Sequence, residues 1–319
     1  MKDYLGWKYD YNRLTGDLVV MPNVKYQVPD TFFKYYALNK NSVDALTNMY
    51  VYASHPNQLN DPFDCDVNLA KIEDEDNAKE LLESLYSYAR NIYDNDADFY
   101  NYSTECFSVI MFAKWGVLSL ADSCENPIMW PRYANNYGFC LEWDIKEFPF
   151  QHSGPFPIHY VKNVVHASSL NYNVQELALI QSNVKHDCWQ YENEWRLMIH
   201  SPIGFNMKTF GKNADQINKS PDIHDRKFKY PISALKSLTL GVHFFKDLQD
   251  KQRIISLPSY ELHTCYQEEC LQTQVLDFME TVKDWVNTRL IIKEGLKSQI
   301  VNVVVTKVSP LTYRITEQR

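Results

Sequence analysis

The chain has no run of lysines and arginines, no close cysteine pair, no long apolar stretch and no apolar leader, and each absence removes a class of function. Non-specific DNA binding draws mainly on phosphate neutralisation by clustered cations. A net charge of −8 without a basic patch leaves no such footprint, though a flipped or single-stranded base entering a pocket stays compatible with it. The seven cysteines, Cys65, Cys106, Cys124, Cys140, Cys188, Cys265 and Cys270, are odd in number and scattered, without the paired spacing of a zinc ribbon or finger. Reduced thiols in a cytoplasm are the simplest reading. No apolar run approaches the roughly 18 residues of a membrane span, and the polar start MKDYLGWKYDYNR lacks the apolar core of a secretory signal. The expectation is a cytoplasmic protein with no membrane partner. His55, His186 and His200 have no metal-ligand spacing, and no metal ligand set is assigned. Repeats, low-complexity tracts and convincing linkers are also missing.

What is present is a chain of 319 residues with 22 Tyr and 16 Phe. That length holds one large domain or two and buries a core without help from disulfides or metals. A tyrosine surplus suits ring-lined clefts and wet interfaces, and an AT-rich codon bias produces the same surplus. Residues 1–30 read as an N-terminal arm or hairpin bounded by Pro22 and Pro29. Residues 31–319 read as a single α+β domain with a helical insertion at about 70–105.

Within that domain, FFKYYAL (32–38) reads as a strand from its aromatic content. Asn41 or Ser42 caps a short helix, and VYAS (51–54) is a second strand ending in the turn-rich loop HPNQLNDPFD. Residues 72–100 form an acidic amphipathic helical stretch. The apolar segment 107–121 holds buried strand broken at Gly116. NPIMWPRYANNY is a short helix or turn, residues 138–145 a strand, and 157–167 another. Asn173 and Glu176 make a capping pair for a helical stripe through Val174, Leu177, Ile180, Val184 and Cys188. In ENEWRLMIH, Trp195, Leu197 and Ile199 alternate with Glu192, Glu194, Arg196 and Met198, the period of a strand whose two glutamates share one face. A polar loop at 212–228, a turn and strand over 229–242, a helix near 276–291 and two strands, VNVVVTKV and LTYRIT, complete the chain.

Four blocks resemble one family in combination: FFKYYAL with VYASHPNQLNDPFD, GVLSLADSCENPIMWPRYANNYGFCLEWD, CWQYENEWRL, and ISALKSLTLGV. They are similar to the bacterial domain-of-unknown-function family 2971, over roughly residues 30–245 and the final strands. One departure is that GVLSLAD stands where the family usually has a cysteine-phenylalanine-serine strand; CFS occurs earlier, at Cys106 to Ser108.

The order of the pieces also resembles the ADP-ribosyltransferases, in whose arginine-modifying branch a basic residue, a strand serine and a Glu-x-Glu pair line one NAD cleft. That resemblance implies a split, mostly antiparallel sheet with flanking helices, and NAD as a substrate. Cleaving the nicotinamide–ribose bond builds positive charge on the ribose, which a fixed carboxylate stabilises. Glu194 is assigned that catalytic role, and Glu192 the orientation or deprotonation of an acceptor. Lys34, in place of the usual arginine or histidine, is assigned to the pyrophosphate and Ser54 to the ribose side. Tyr35, Trp130 or Tyr133 is assigned to the nicotinamide ring. Asn60 and Arg196 complete the NAD-binding set. The expected activity is ADP-ribosyl transfer to an unknown protein or nucleic-acid acceptor, or NAD glycohydrolysis, in a defence or toxin setting.

Structural readings stand beside these. Glu194 and Arg196 on one strand face also suit an ion pair, Ser54 a turn cap, Lys34 a strand-edge snorkel, and Trp130, Trp189 and Trp195 the core. Asn60, Asp61 and Asp64 suit a loop whose side chains bond backbone amides. Two rival functions remain: Mg²⁺- or Mn²⁺-dependent phosphodiester hydrolysis on Asp61, Asp64, Asp66, Glu192 and Glu194, and a non-catalytic module binding a nucleotide or a protein.

Overall fold

The computed structural model describes residues 1–12, 17–55, 59, 61, 64–65, 69–71, 115–163, 165–168, 170–200, 226–241, 278 and 281, with the strands at 259–263, 289–292, 301–309 and 312–317. Asn60, Asp66, the acidic stretch at 72–100 and most of the 212–228 loop lie outside the described residues.

Three short strands open the chain, β1 (Lys2–Tyr4), β2 (Trp7–Tyr11) and β3 (Leu18–Met21). The expected strand–helix–strand follows as β4 (Phe32–Tyr36), α1 (Lys40–Thr47) and β5 (Tyr50–Tyr52). The cap of α1 is Asn39, not Asn41 or Ser42. Ser42 N–H donates to Asn39 Oδ1 and Asn39 N–H donates to Ser42 Oγ, each at 3.0 Å. Ser42 is therefore the third helical residue of a reciprocal box.

After β6 (Ala70–Lys71), strand β7 (Trp115–Ala121) runs unbroken through Gly116. The glycine is there for closeness: a Cβ on Gly116 would lie 2.5 Å from Ala53 Cβ. Close backbone approach is a usual reason for glycine inside a strand. Then come α2 (Met129–Tyr133), β8 (Phe139–Trp143), β9 (His152–Pro157), β10 (His159–Val161) and β11 (Ala167–Ser168).

The helix α3 (Val174–Asn183) starts at its expected cap, with Glu176 N–H on Asn173 Oδ1 at 2.8 Å and Asn173 N–H on Glu176 Oε2 at 2.9 Å. It stops short of Cys188, and β12 (Val184–His186) follows directly. Ser182 and Asn183 are weak helix formers. Their side chains bond Leu179 O and Tyr9 Oη instead. The stripe through Val184 belongs to two elements, both of which bury their apolar side. β13 (Glu194–His200), β14 (Lys227–Lys229), β15 (Leu235–Leu240), β16 (Ser259–His263), β17 (Arg289–Ile292), β18 (Val301–Ser309) and β19 (Thr312–Glu317) complete the elements. Residues 289–292 are thus strand where the sequence suggests the end of a helix.

By compactness the chain divides into two units. The first is Met1–Val28, Tyr52–Leu120 and Phe150–Phe228; the second is Pro29–Val51, Ala121–Pro149 and Lys229–Arg319. In the first, β1, β2 and β3 form an antiparallel meander. Tyr4, Trp7, Tyr9, Leu18 and Val20 of that meander join a buried cluster with Leu177 to Ile180 of α3, Val117 and Met198. Each fully buried leucine or isoleucine there contributes about 1.5–3 kcal/mol. Strand β13 lies between β7 and β9 and is antiparallel to β9, while β10 and β12 run parallel. In the second unit the strands follow the order β16, β19, β18, β17, β15, β8, β4. Among the described strand pairs of that unit, only β15 with β17 is parallel. Phe278 is fully buried and packs on Phe139, ring centroids 5.1 Å apart. Over the described residues the protein has a mixed α/β fold with a mostly antiparallel sheet and few helices. No helix among the described residues is long and apolar enough to cross a membrane.

Candidate functional site

The densest chemistry of the first unit is at the start of β13. The segment Asp187–Glu192 coils into a 3-10 helix, and Asn193 then takes a left-handed conformation (φ 45°, ψ 47°). Asparagine tolerates that region better than most residues. The reversal ends the coil and starts the strand at Glu194. The two glutamates therefore do not share one strand face, as their two-residue spacing suggests. They belong to different elements and converge on a common cation.

That cation is Lys185 of β12. Its Nζ donates to Glu192 Oε2 at 2.8 Å and to Glu194 Oε2 at 3.0 Å, and lies 3.5 Å from Asp64 Oδ2. Arg196, two residues along β13 from Glu194, donates through Nε to Glu194 Oε1 at 2.7 Å. Its Nη2 donates to Asp64 Oδ2 and its Nη1 to Ser182 O, both at 2.5 Å. All five charged residues are at most 6% exposed. Unpaired, any of them would carry a desolvation cost of several kcal/mol. Asp64 thus reaches across to a strand cation, where the sequence suggests bonding to its own loop's amides. Asp64 Oδ1 is buried without a hydrogen-bond partner among the described residues.

The electrostatics follow from this packing. Burial alone would raise the Glu194 pKa, but the Arg196 guanidinium and the Lys185 ammonium outweigh it and hold the carboxyl at about 2. Burial would lower the Lys185 pKa, and Glu194 and Asp64 instead raise it. Arg196 is raised likewise, chiefly by Asp64 and Glu194 against its own desolvation. Glu194, Lys185 and Arg196 are each held in their charged forms. Three carboxylates against two cations leave one negative charge in the cluster.

The polar neighbours come from adjoining strands. Ser119 of β7 shares a hydrogen bond with Glu194. Ser54 pairs with Val117 of the same strand, N–H to O at 2.9 Å and back at 2.8 Å. Ser54 is half-buried and forms a bridge rather than a turn cap. On β10, Tyr160 is in register with Lys185, and its hydroxyl accepts the Glu194 N–H at 2.9 Å. On the other face of β13, Trp195, Leu197 and Ile199 are buried, as the period-two pattern suggests.

The remaining assigned residues belong to the second unit. Tyr35 and Trp130 meet edge to face, centroids 5.1 Å apart at 86°. Their polar ends are committed, Tyr35 Oη to Ser123 O at 2.9 Å and Trp130 Nε1 to Cys124 O at 2.8 Å. Both are core residues there, at 7% and 8% exposure. Tyr133 is half-buried at the end of α2. Lys34 pairs with Leu141 of β8, with Nζ 6.0 Å from the Tyr36 ring centroid. Sequence reasoning missed Lys185, because the helical stripe ran through its segment, and missed Tyr160. A lysine two residues after an asparagine that ends a helix was the available signal.

Among the described residues no group of three or more His, Cys, Asp and Glu is arranged to hold a metal ion. An ammonium and a guanidinium already fill the space between the three carboxylates.

Neither the curated proteins nor the solved structures contain a match to this chain. Residues 129–197, which run from α2 to the Glu194–Arg196 pair, match the family described as protein of unknown function DUF2971.

Proposed function

We propose that the chain breaks the nicotinamide–ribose bond of NAD and delivers ADP-ribose to a protein, a nucleic acid or water. The observation that carries this reading is Glu194, a carboxylate kept ionised at about pKa 2 by Arg196 and Lys185. As the C–N bond breaks, positive charge grows on the ribose and nicotinamide leaves with the bonding electrons. A preorganised negative cluster favours that charge over neutral ribose and needs no reorganisation to do so. Both Glu194 oxygens are engaged by cations, so its role is electrostatic rather than nucleophilic. Glu192 is the group that would take the acceptor's proton, and the hydroxyls of Ser54 and Ser119 would help to orient the acceptor. The contacts of Lys34 with the pyrophosphate, and an ADP-ribosyltransferase-like arrangement of the sheet, rest on the resemblance in motif order.

The saturation of Glu194 favours a second reading, a non-catalytic module in which the same network holds a ligand-binding surface in shape. The metal-dependent reading is disfavoured, because a divalent cation would have to displace Lys185.

Label transfer separates the first two. With NAD radiolabelled in its adenylate phosphate and a cell lysate as acceptor, the proposal expects label on macromolecules, or free labelled ADP-ribose if water is the acceptor. Glu194→Gln should reduce either product by about 100-fold or more, the usual loss when a preorganised charge is removed. NAD bound intact, at equal affinity in both proteins, would support the binding module instead.

A further inference from the structure

Three half-buried aromatic residues stand around the Lys185–Glu194 cluster, and the function proposed above gives them no role. Tyr160 touches it through the Glu194 N–H at 2.9 Å. Trp189 touches it through Lys185, whose Nζ is 5.0 Å from the indole centroid. Tyr191 extends the set, its ring 6.0 Å from Trp189 at 39°. Trp189 and Tyr191 lie on the same 3-10 turn that delivers Glu192. All three keep partial solvent access, unlike Trp115, Trp143 and Trp195, which are buried in the core.

We infer that Tyr160, Trp189 and Tyr191 form a subsite for a flat cationic heteroaromatic ring, a pyridinium carboxamide of the nicotinamide type. Aromatic faces carry a negative quadrupole and attract cations lying over them. The Lys185 ammonium over Trp189 shows that this ring accepts a cation at such a distance. That ammonium is itself neutralised by Glu192, Glu194 and Asp64, and the cluster beneath keeps a negative charge for a second cation. The Tyr160 hydroxyl spends an acceptor site on the Glu194 N–H. Among the described hydrogen bonds its proton has no acceptor, so it is available to a carboxamide oxygen. The ring stack assigned from sequence to Tyr35, Trp130 and Tyr133 moves to residues beside Glu194. The identity of the ring rests on the NAD reading; its binding does not require turnover.

Calorimetry on the full chain tests this with three probes, 1-methylnicotinamide (a cation), nicotinamide (neutral) and nicotinate (an anion), and with 1-methylpyridinium as a fourth, carboxamide-free control. The cation should bind about tenfold tighter than the neutral ring, the size of a desolvated cation–π contact, and nicotinate more weakly than either. Trp189→Leu and Tyr191→Leu should each weaken the cation by about fivefold or more with an unchanged melting temperature. Tyr160→Phe should weaken 1-methylnicotinamide but leave carboxamide-free 1-methylpyridinium unchanged. If a leucine variant does not fold, the other leucine variant and Tyr160→Phe decide. Binding that is absent in the wild type, indifferent to ring charge, or retained in folded Trp189→Leu overturns the subsite. Nicotinamide release from NAD, followed in parallel, keeps the two ideas apart. Release without ring-variant sensitivity sinks the subsite alone. Ring binding without release sinks the turnover and leaves the subsite.

Discussion

Arg196 shows at the scale of one residue what the network does. It is 1% exposed and bonded to Glu194, Asp64 and Ser182. Arg196→Met should lower stability by about 3–5 kcal/mol in urea unfolding, because two buried carboxylates lose their guanidinium. The double variant Arg196→Met/Glu194→Gln should cost less than the sum of the singles, since the groups share one network. Additive losses would show that the pair does not interact. The pH dependence has two parts. Glu194 has a depressed pKa, so its contribution is complete above its ordinary value of 4.5 and is lost as pH falls through about 2. His159 is stacked on Trp7, centroids 4.2 Å apart, and its pKa is lowered to about 4 by burial, against a smaller opposing pull from Asp3. Its neutral form is the one the fold accepts. Stability from His159 is full above 6.5 and falls as the pH drops toward 4, by about 3 kcal/mol at most. His159→Gln should flatten the unfolding free energy between pH 7 and pH 4; an unchanged slope would mean that the imidazole does not titrate there. Glu194 and Arg196 facing the same way was legible from the period-two pattern. Lys185 and Asp64 were not, because ion pairs across 121 residues of chain, from 64 to 185, leave no local trace.

The elements themselves were legible where local chemistry decides them. Asn173 with Glu176 marks the start of α3, and Asn173→Ala should cost about 1 kcal/mol in thermal or urea unfolding. Its end was not legible, since Val184 continues the apolar spacing but takes an extended conformation at the cap. Gly116 misled in the opposite direction. Glycine suggests a break, but here it lets Ala53 approach the strand. Gly116→Ala should destabilise by about 1–3 kcal/mol, as overpacking does, and adding Ala53→Gly should recover part of that. A neutral Gly116→Ala would mean that the contact relaxes freely.

Across the whole molecule, composition and strand periods were enough for a mixed α/β fold, and the mostly antiparallel sheet came from the resemblance in motif order. The order of strands was not legible, because β15 is flanked by β8 and β17, and such partners are chosen by surfaces distant in sequence. The same limit shaped the site. The motif order gathers Lys34, Ser54 and Glu194, while compactness assigns Lys34 to one unit and Ser54 and Glu194 to the other. What the sequence does carry is the segment 192–196, where charge and a strand start coincide.

Nicotinamide released from NAD, by the purified chain beside Glu194→Gln, with and without lysate, tests the central claim most directly. The account predicts release in the wild type, reduced by about 100-fold in the variant, at unchanged rate in chelator. No release and no NAD binding under any of these conditions would contradict it, and so would release that survives Glu194→Gln or stops with chelator.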